Sequence, residues 1–213
     1  MHEEMFEEMR ARPAPFWEAR YQRAGSGSTG VPGAALRQVV SELAPGTALE
    51  LGCGRGDDLV WLAQEGWIVC GVEIAPTAIS YARANAERAG VVERVRFEQH
   101  DLTRTFPEGR FDLVLTCFLA AFPREPVLAR AVDAVAPGGH LLLIDHGCRA
   151  PWMWAPEGHL FPTPTETLAS LGLDTAWTAR RVEALPRKAR GPDGQTATVL
   201  DNVVLVGRRS DHP

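Results

Sequence analysis

This 213-residue chain is poor in cysteine, and its four, Cys53, Cys70, Cys117 and Cys148, are scattered. No CxxC-like or HxxE-like spacing occurs, so reduced thiols and no metal are expected. No apolar run reaches the roughly 18 residues that a membrane helix needs. The start, Met1-His2-Glu3-Glu4-Met5-Phe6-Glu7-Glu8, lacks the basic residues and apolar core of a secretory leader. A cytoplasmic protein without membrane contact is therefore expected. Long blocks of one charge are also missing: 27 acidic side chains face 22 basic ones, for a net charge of −5. Phosphate backbones need clustered Lys and Arg, so nucleic acid is not an expected partner. Arg187-Lys188-Ala189-Arg190, the one basic cluster, reads as a solvated loop.

What is present suits one globular domain, with 45% apolar residues, 20 Gly and 16 Pro. From Gly46 onward, short apolar runs alternate with helical patterns, as in βαβ units. Strands are expected at 47–51, 67–72, 95–98, 111–116 and 141–144, nearly continuous in apolar character, as strands covered on both faces should be. Between the second and third, Ala75, Ala78, Ile79, Ala82, Ala86 and Ala89 form one helical stripe, opened by Pro76 and closed by Gly90. Thr163-Pro164-Thr165-Glu166 is a capping box for a helix that should stop at Gly172. Two last strands, 176–183 and 199–206, flank the turn-rich Gly191-Pro192-Asp193-Gly194 and can pair as a hairpin. The fold class expected is α/β: a doubly wound, mostly parallel seven-stranded sheet with a C-terminal antiparallel hairpin and helices on both faces. Residues 24–30 read as a flexible loop.

The most informative segment is Leu49-Glu50-Leu51-Gly52-Cys53-Gly54-Arg55-Gly56-Asp57-Asp58-Leu59, a strand running through a glycine turn into a helix. Glycines at alternate positions let the backbone bend sharply and approach a ligand closely. Glu73 follows Gly52 by 21 residues, at the end of the second strand, where a carboxylate can accept both hydroxyls of a ribose. A dinucleotide would bring a pyrophosphate to this helix start. Glu50, Asp57 and Asp58 would repel it, and the G-x-G-x-G spacing departs from G-x-G-x-x-G, although an NAD(P)-binding protein stays an alternative. The acids suit a ligand carrying an ammonium and a sulfonium.

In this order and spacing, the motifs resemble those of the class I S-adenosylmethionine (SAM)-dependent methyltransferases. Glu50-Leu51-Gly52-Cys53-Gly54-Arg55-Gly56 looks like that family's first motif, Val72-Glu73-Ile74 its second, and His100-Asp101-Leu102 its acidic site after the third strand. The fourth-strand segment 111–115 and Ala136-Pro137-Gly138-Gly139-His140, the turn into the fifth strand, complete the series. The resemblance implies methyl transfer from SAM, leaving S-adenosylhomocysteine. It puts Gly52, Cys53 and Gly54 against the cofactor's methionine and ribose, with Glu50 beside them and Glu73 on the ribose hydroxyls. It also puts Asp101 on the adenine amino group, Leu102 N–H on the ring, Ile74 on the adenine face, and the backbone at Thr116 and Cys117 near the methionine end. An acid placed like Asp101 can equally be an ordinary strand-end cap.

Trp17 and Tyr21 share a helical face before the glycine-serine loop, resembling the N-terminal lid of thiopurine and tellurite-resistance methyltransferases, which act on small molecules. This reading divides the chain into a lid, 1–32, and a SAM-binding domain, 33–213. The departure is that Ser28 and Thr29, not Trp, precede Gly30-Val31-Pro32.

A small-molecule acceptor should bind beyond the strand ends, beside segment 145–161, which concentrates Trp152, Trp154, His146, His159 and Arg149. An aromatic-walled pocket with His146 or His159 as base is one reading; Trp residues sealing the sheet edge with solvated histidines are the other. A non-catalytic SAM-binding regulator of the same fold is a further alternative.

Overall fold

The structure is a computed structural model describing residues 2–28, 30–153 and 158–210, apart from the side chains of His2 and Glu3. Its seven strands are β1 (Thr47–Leu51), β2 (Ile68–Glu73), β3 (Val95–Gln99), β4 (Phe111–Cys117), β5 (Val135–His146), β6 (Trp177–Arg190) and β7 (Thr196–Arg208). They form one sheet in the order β3-β2-β1-β4-β5-β7-β6. The first five are parallel, and β7 runs antiparallel to both β5 and β6. The expected topology is therefore the one observed.

Strand alternation sends successive side chains to opposite faces. Ala48, Leu113, Leu115, Leu142 and Val203 meet Leu36 and Val39 of α3 (Ala34–Val40) and Leu59 and Leu62 of α4 (Asp57–Gln64). On the other face, Leu49, Leu51, Val114, Leu141 and Val204 meet Val127, Leu128 and Ala131 of α6 (Arg124–Asp133). Every one of these side chains is buried, which is why the strands read as continuous apolar runs.

α5 (Pro76–Arg88) opens on Pro76 and ends with Gly90 at φ 70°. Gly90 N–H donates to Glu87 and Val91 N–H to Ala86, a complete Schellman closure. α7 (Pro164–Ser170) carries the full capping box of Thr163 and Glu166.

Three elements exceed the sequence expectation. β5 begins at Val135, because the Pro137–Gly139 turn is absorbed as an irregularity between the pairs Phe111↔Val135 and Leu113↔His140. The hairpin is longer at both strands, with Trp177↔Arg208 at one end of its register and Arg190↔Thr196 at the other. The N-terminus contains two helices, α1 (His2–Ala11) and α2 (Pro13–Ala24), divided just before Pro13. No helix among the described residues is long and apolar enough to cross a membrane.

Candidate functional site

Strands β1 to β4 end together, and the side chains singled out in the sequence gather there. β1 leads into the glycine turn, where Gly52, Gly54 and Gly56 have φ of 79°, 53° and 77°. Gly52 and Cys53 N–H both donate to Val72 C=O, at 2.8 and 2.9 Å, which fixes the turn against β2. A Cβ on Gly52 would lie 2.7 Å from Leu119 Cδ1, and one on Gly54 2.9 Å from Tyr21 Oη. Gly56 instead abuts Ala82 of α5, so its smallness serves helix packing.

Glu73 sits at the end of β2. Its Oε1 accepts from Ile74 and Ala75 N–H at 2.8 and 3.0 Å, and its Oε2 from Gly54 N–H at 3.1 Å. Burial raises its carboxyl pKa, and these three donors pull against that shift. Asp101 lies beyond β3. Its Oδ1 accepts from Thr103 N–H at 3.1 Å and Thr103 Oγ1 at 2.6 Å, so it caps its own turn while also lining a cavity.

That cavity, about 100 Å³, is bounded by Trp17, Tyr21, Gly52, Glu73, Asp101 and Phe118, with Ile74 and Leu102 also in its wall. Trp17 and Tyr21 come from α2, with ring centres 6.2 Å apart. The remaining expected residues stand behind this wall. Cys53 is buried, and its sulfur occupies the space beside Gly71, so only its backbone is offered to the turn. Thr116 is fully buried and its Oγ1 has no partner.

Glu50 and Cys117 join Asp58 in a cluster that the sequence did not foresee. One donor atom from each lies within 4.8 Å of the others. Glu50 is 2% exposed, and its Oε2 has no hydrogen-bond partner. Burial, then the charges of Asp58, Glu73 and Asp57, raise its pKa well above the usual carboxylate range. Such a group gains by the approach of a positive charge, so an ammonium fits and a phosphate does not. The donor types are also those of a metal site, although no metal was expected from sequence.

The fit of a SAM-sized nucleoside can be judged from the glycine turn. Space above Gly52 and Gly54 is filled by the Leu119 side chain and the Tyr21 hydroxyl. Small-molecule sites usually measure at least about 300 Å³, so these two side chains must swing away on binding. The donor and acceptor chemistry around them otherwise suits the ligand.

Asp57 and Asp58 do more than set charge. Asp57 Oδ1 accepts from Ser28 Oγ and, at 2.8 Å, from Gly30 N–H, while Asp58 Oδ1 accepts from Gly33 N–H at 2.7 Å. Arg55 Nε donates to Gly25 C=O at 3.0 Å. The loop read from its glycine and serine content as flexible is thus tethered at Gly25, Ser28 and Gly30 to the glycine turn and the start of α4. Composition reports what a loop could do, and these long-range acceptors lie about 30 residues away in sequence.

A second cavity, about 390 Å³, adjoins the first and shares Met9, Trp17, Phe118 and Leu119 with it. Its walls are mainly apolar, including Phe6, Met9, Phe118, Phe122, Met153 and Phe161. His146 and His159 both line it, and an Arg124–Asp145 ion pair stands in its wall. Segment 145–161 contributes His146, Met153, His159, Leu160 and Phe161 to this lining. Trp152 packs its ring against Gly191 at the hairpin turn, and Trp154 lies outside the described residues. Its aromatic surface combines Phe161 of that segment and Trp17 of α2 with Phe6 of α1 and Phe118 and Phe122 after β4; the sequence reading did not assign Phe6, Phe118 or Phe122 to the acceptor.

Phe118, the residue after β4, is the one non-glycine residue with positive φ among the described residues, at 57°. Its ring stacks on His146 with centres 4.3 Å apart and planes at 24°. Burial lowers the His146 pKa, so the imidazole is neutral at pH 7. The signal for Phe118 was its place directly after Thr116-Cys117; nothing in the sequence signalled Phe6 or Met9.

Residues 48–139 match the family model described as a methyltransferase domain. An uncharacterized methyltransferase of Synechocystis sp. is 31% identical over 140 residues, 63% of this chain and 61% of that protein. Norajmaline N-methyltransferase of Rauvolfia serpentina is 30% identical over 109 residues, 49% of this chain and 37% of that protein. Ribosomal protein L11 methyltransferase of Thermus thermophilus is 36% identical over 110 residues, 51% of this chain and 42% of that protein. The chain thus spans less than two thirds of the length of these relatives. A solved structure concerned with conversion of a disulfide bond into a thioacetal group during echinomycin biosynthesis superposes with a TM-score of 0.73. It covers 93% of this chain and 94% of its own at 23% identity, a likeness of fold.

Proposed function

We propose, from the match of residues 48–139 to a methyltransferase-domain family model, that the chain transfers the methyl group of SAM to a small, largely apolar acceptor. The observation that carries this reading is the pair of adjoining cavities. One is walled by the glycine turn, Glu73 and Asp101, the other by phenylalanines, and both share Phe118 and Leu119. When bound, SAM supplies a methyl carbon on a sulfonium, open to in-line displacement. The protein's task is then to hold the acceptor about 3 Å from that carbon and to exclude water.

In this reading Glu73 accepts the ribose hydroxyls, Asp101 and Leu102 take the adenine edge, Ile74 packs on its face, and Glu50 draws the ammonium. Residues 1–32 act as a lid on the domain of residues 33–213, with Trp17 and Tyr21 its inner face. His146, which shares the acceptor cavity with His159, is the base of this reading. A reducing compartment such as the cytoplasm suits the four free cysteines.

Calorimetry and thermal shift with SAM and S-adenosylhomocysteine test the cofactor. Failure of both to bind at millimolar concentration overturns the reading. Binding without S-adenosylhomocysteine formation, across phenols, thiols, amines and chalcogen oxyanions, would point to a non-catalytic SAM-binding protein.

A further inference from the structure

The last strand pair supplies charged groups beside the acceptor cavity that the proposed reaction has not yet used. His146 ends β5, and its register partner on β7 is Asp201. Directly opposed residues of an antiparallel pair put their side chains on the same face, so imidazole and carboxylate leave the sheet side by side. From β6, Arg187 donates through Nε to Asp201 Oδ2 at 2.6 Å. Its guanidinium carbon also lies 5.8 Å from the centre of the Phe118 ring, which stacks on His146.

Asp201 is only 2% exposed, yet its Oδ1 has no hydrogen-bond partner. A buried carboxylate oxygen without a donor is costly. A single Arg satisfies one oxygen and leaves the other available to a second positive group. The group beside it on the same face is His146, neutral when the cavity is at rest.

We propose that Asp201, anchored by Arg187, is a positioning residue that stabilises protonated His146, and that the acceptor is therefore one that must lose a proton, a hydroxyl or an acidic heteroaromatic N–H. This inference rests on the methyl-transfer reading above. The acceptor's O–H or N–H proton passes to the free imidazole nitrogen. The acceptor lone pair forms its bond to the methyl carbon as the carbon–sulfur bond breaks, its electron pair staying on sulfur. The sulfonium becomes a neutral thioether, and the imidazolium later returns its proton to solvent.

The charges acting on His146 come from three strands: Asp201 on β7, Arg187 on β6 and Asp145 on its own strand. Asp201 and Asp145 favour the imidazolium and Arg187 opposes it. Arg124 of α6 is paired with Asp145, and His159 shares the cavity.

The test uses the full chain with labelled histidine, following the His146 imidazole by NMR through a pH titration. Asp201→Asn should lower its pKa by about half a unit or more, and Arg187→Gln should raise it, because the two charges act in opposite senses. If neither variant moves it, Asp201 serves only to seat Arg187 and the proposal falls. SAM affinity and thermal midpoint, measured on the same samples, show whether each variant has folded. A variant that fails to fold leaves the decision to the other, whose opposite sign is equally diagnostic. Turnover is then compared for 1-naphthol, indole-type N–H compounds, tertiary amines and thioethers, reading S-adenosylhomocysteine. Product from the tertiary amines or thioethers alone overturns the acceptor class. Coupling between Asp201 and His146 without SAM binding would instead overturn the methyl-transfer reading.

Discussion

The Glu73 carboxylate accepts the backbone N–H of Gly54 at 3.1 Å, joining the end of β2 to the middle of the glycine turn through one side chain. Both of its oxygens already hold backbone donors, so a ribose would meet a carboxylate whose position is fixed in advance. Glu73→Gln keeps the shape but removes the charge, and its amide NH2 must face either Gly54 N–H or the Ile74 and Ala75 N–H groups. SAM and S-adenosylhomocysteine affinity should fall about ten- to hundredfold by calorimetry. Unchanged affinity would remove Glu73 from the ribose.

Gly52 and Gly54 can be separated from the cost of their backbone shape. Gly52→Ala and Gly54→Ala each place a methyl group at positive φ and against Leu119 or Tyr21. Gly90→Ala imposes a similar φ, 70°, with open space around the new Cβ. All three should lose about 1–3 kcal/mol of stability in urea unfolding. Only the first two should weaken SAM binding more than tenfold. A matching loss of binding in Gly90→Ala would mean that the effect is general destabilisation.

Glu50 opposes folding at neutral pH. Its raised pKa means that the folded protein retains a proton that the unfolded chain has released. The associated stability is fully present below the unfolded carboxylate value of 4.5 and declines as pH rises towards the folded one. Glu50→Gln should therefore be more stable than the parent without ligand, by a margin that widens from pH 5 to pH 8 in thermal denaturation. The same variant should bind SAM more weakly, since the ammonium loses its partner. A margin that is constant with pH would show that Glu50 ionises normally.

Glu18 on α2 accepts from Thr77 N–H at 3.0 Å and from the Thr77 hydroxyl, tying α2 to the start of α5. SAM should increase hydrogen-exchange protection of residues 14–32. Glu18→Gln should reduce that protection and raise the SAM dissociation constant a few-fold, as expected for a partly exposed pair of bonds. Equal exchange with and without SAM would show that α2 does not respond to the cofactor.

The sheet was legible because its evidence is local. Period and turn chemistry marked 47–51, 111–116, Pro76, Gly90 and the Thr163–Glu166 box, and each is where the structure has it. Strand ends were less legible: Val135 and Arg190 join their strands through pairing with neighbours, which no residue type announces. At the smaller cavity, glycine spacing and strand-end acids singled out Gly52, Glu73 and Asp101, because turn geometry and charge are properties of single residues. The contributions of Met9 and Leu119 escaped notice, since an apolar side chain reads as core wherever it occurs.

Sequence alone therefore determined the class of fold, the order of the motifs and the sign of charge around the glycine turn. Tertiary structure decided which aromatics line the larger cavity, seating Phe6 and Phe161 there and sending Trp152 to the hairpin. It also brought Asp201 opposite His146 and Asp57 against loop 24–30. Those pairings join residues tens of positions apart. They depend on strand register and helix placement, which are set by packing of the whole core rather than by any short stretch of chain.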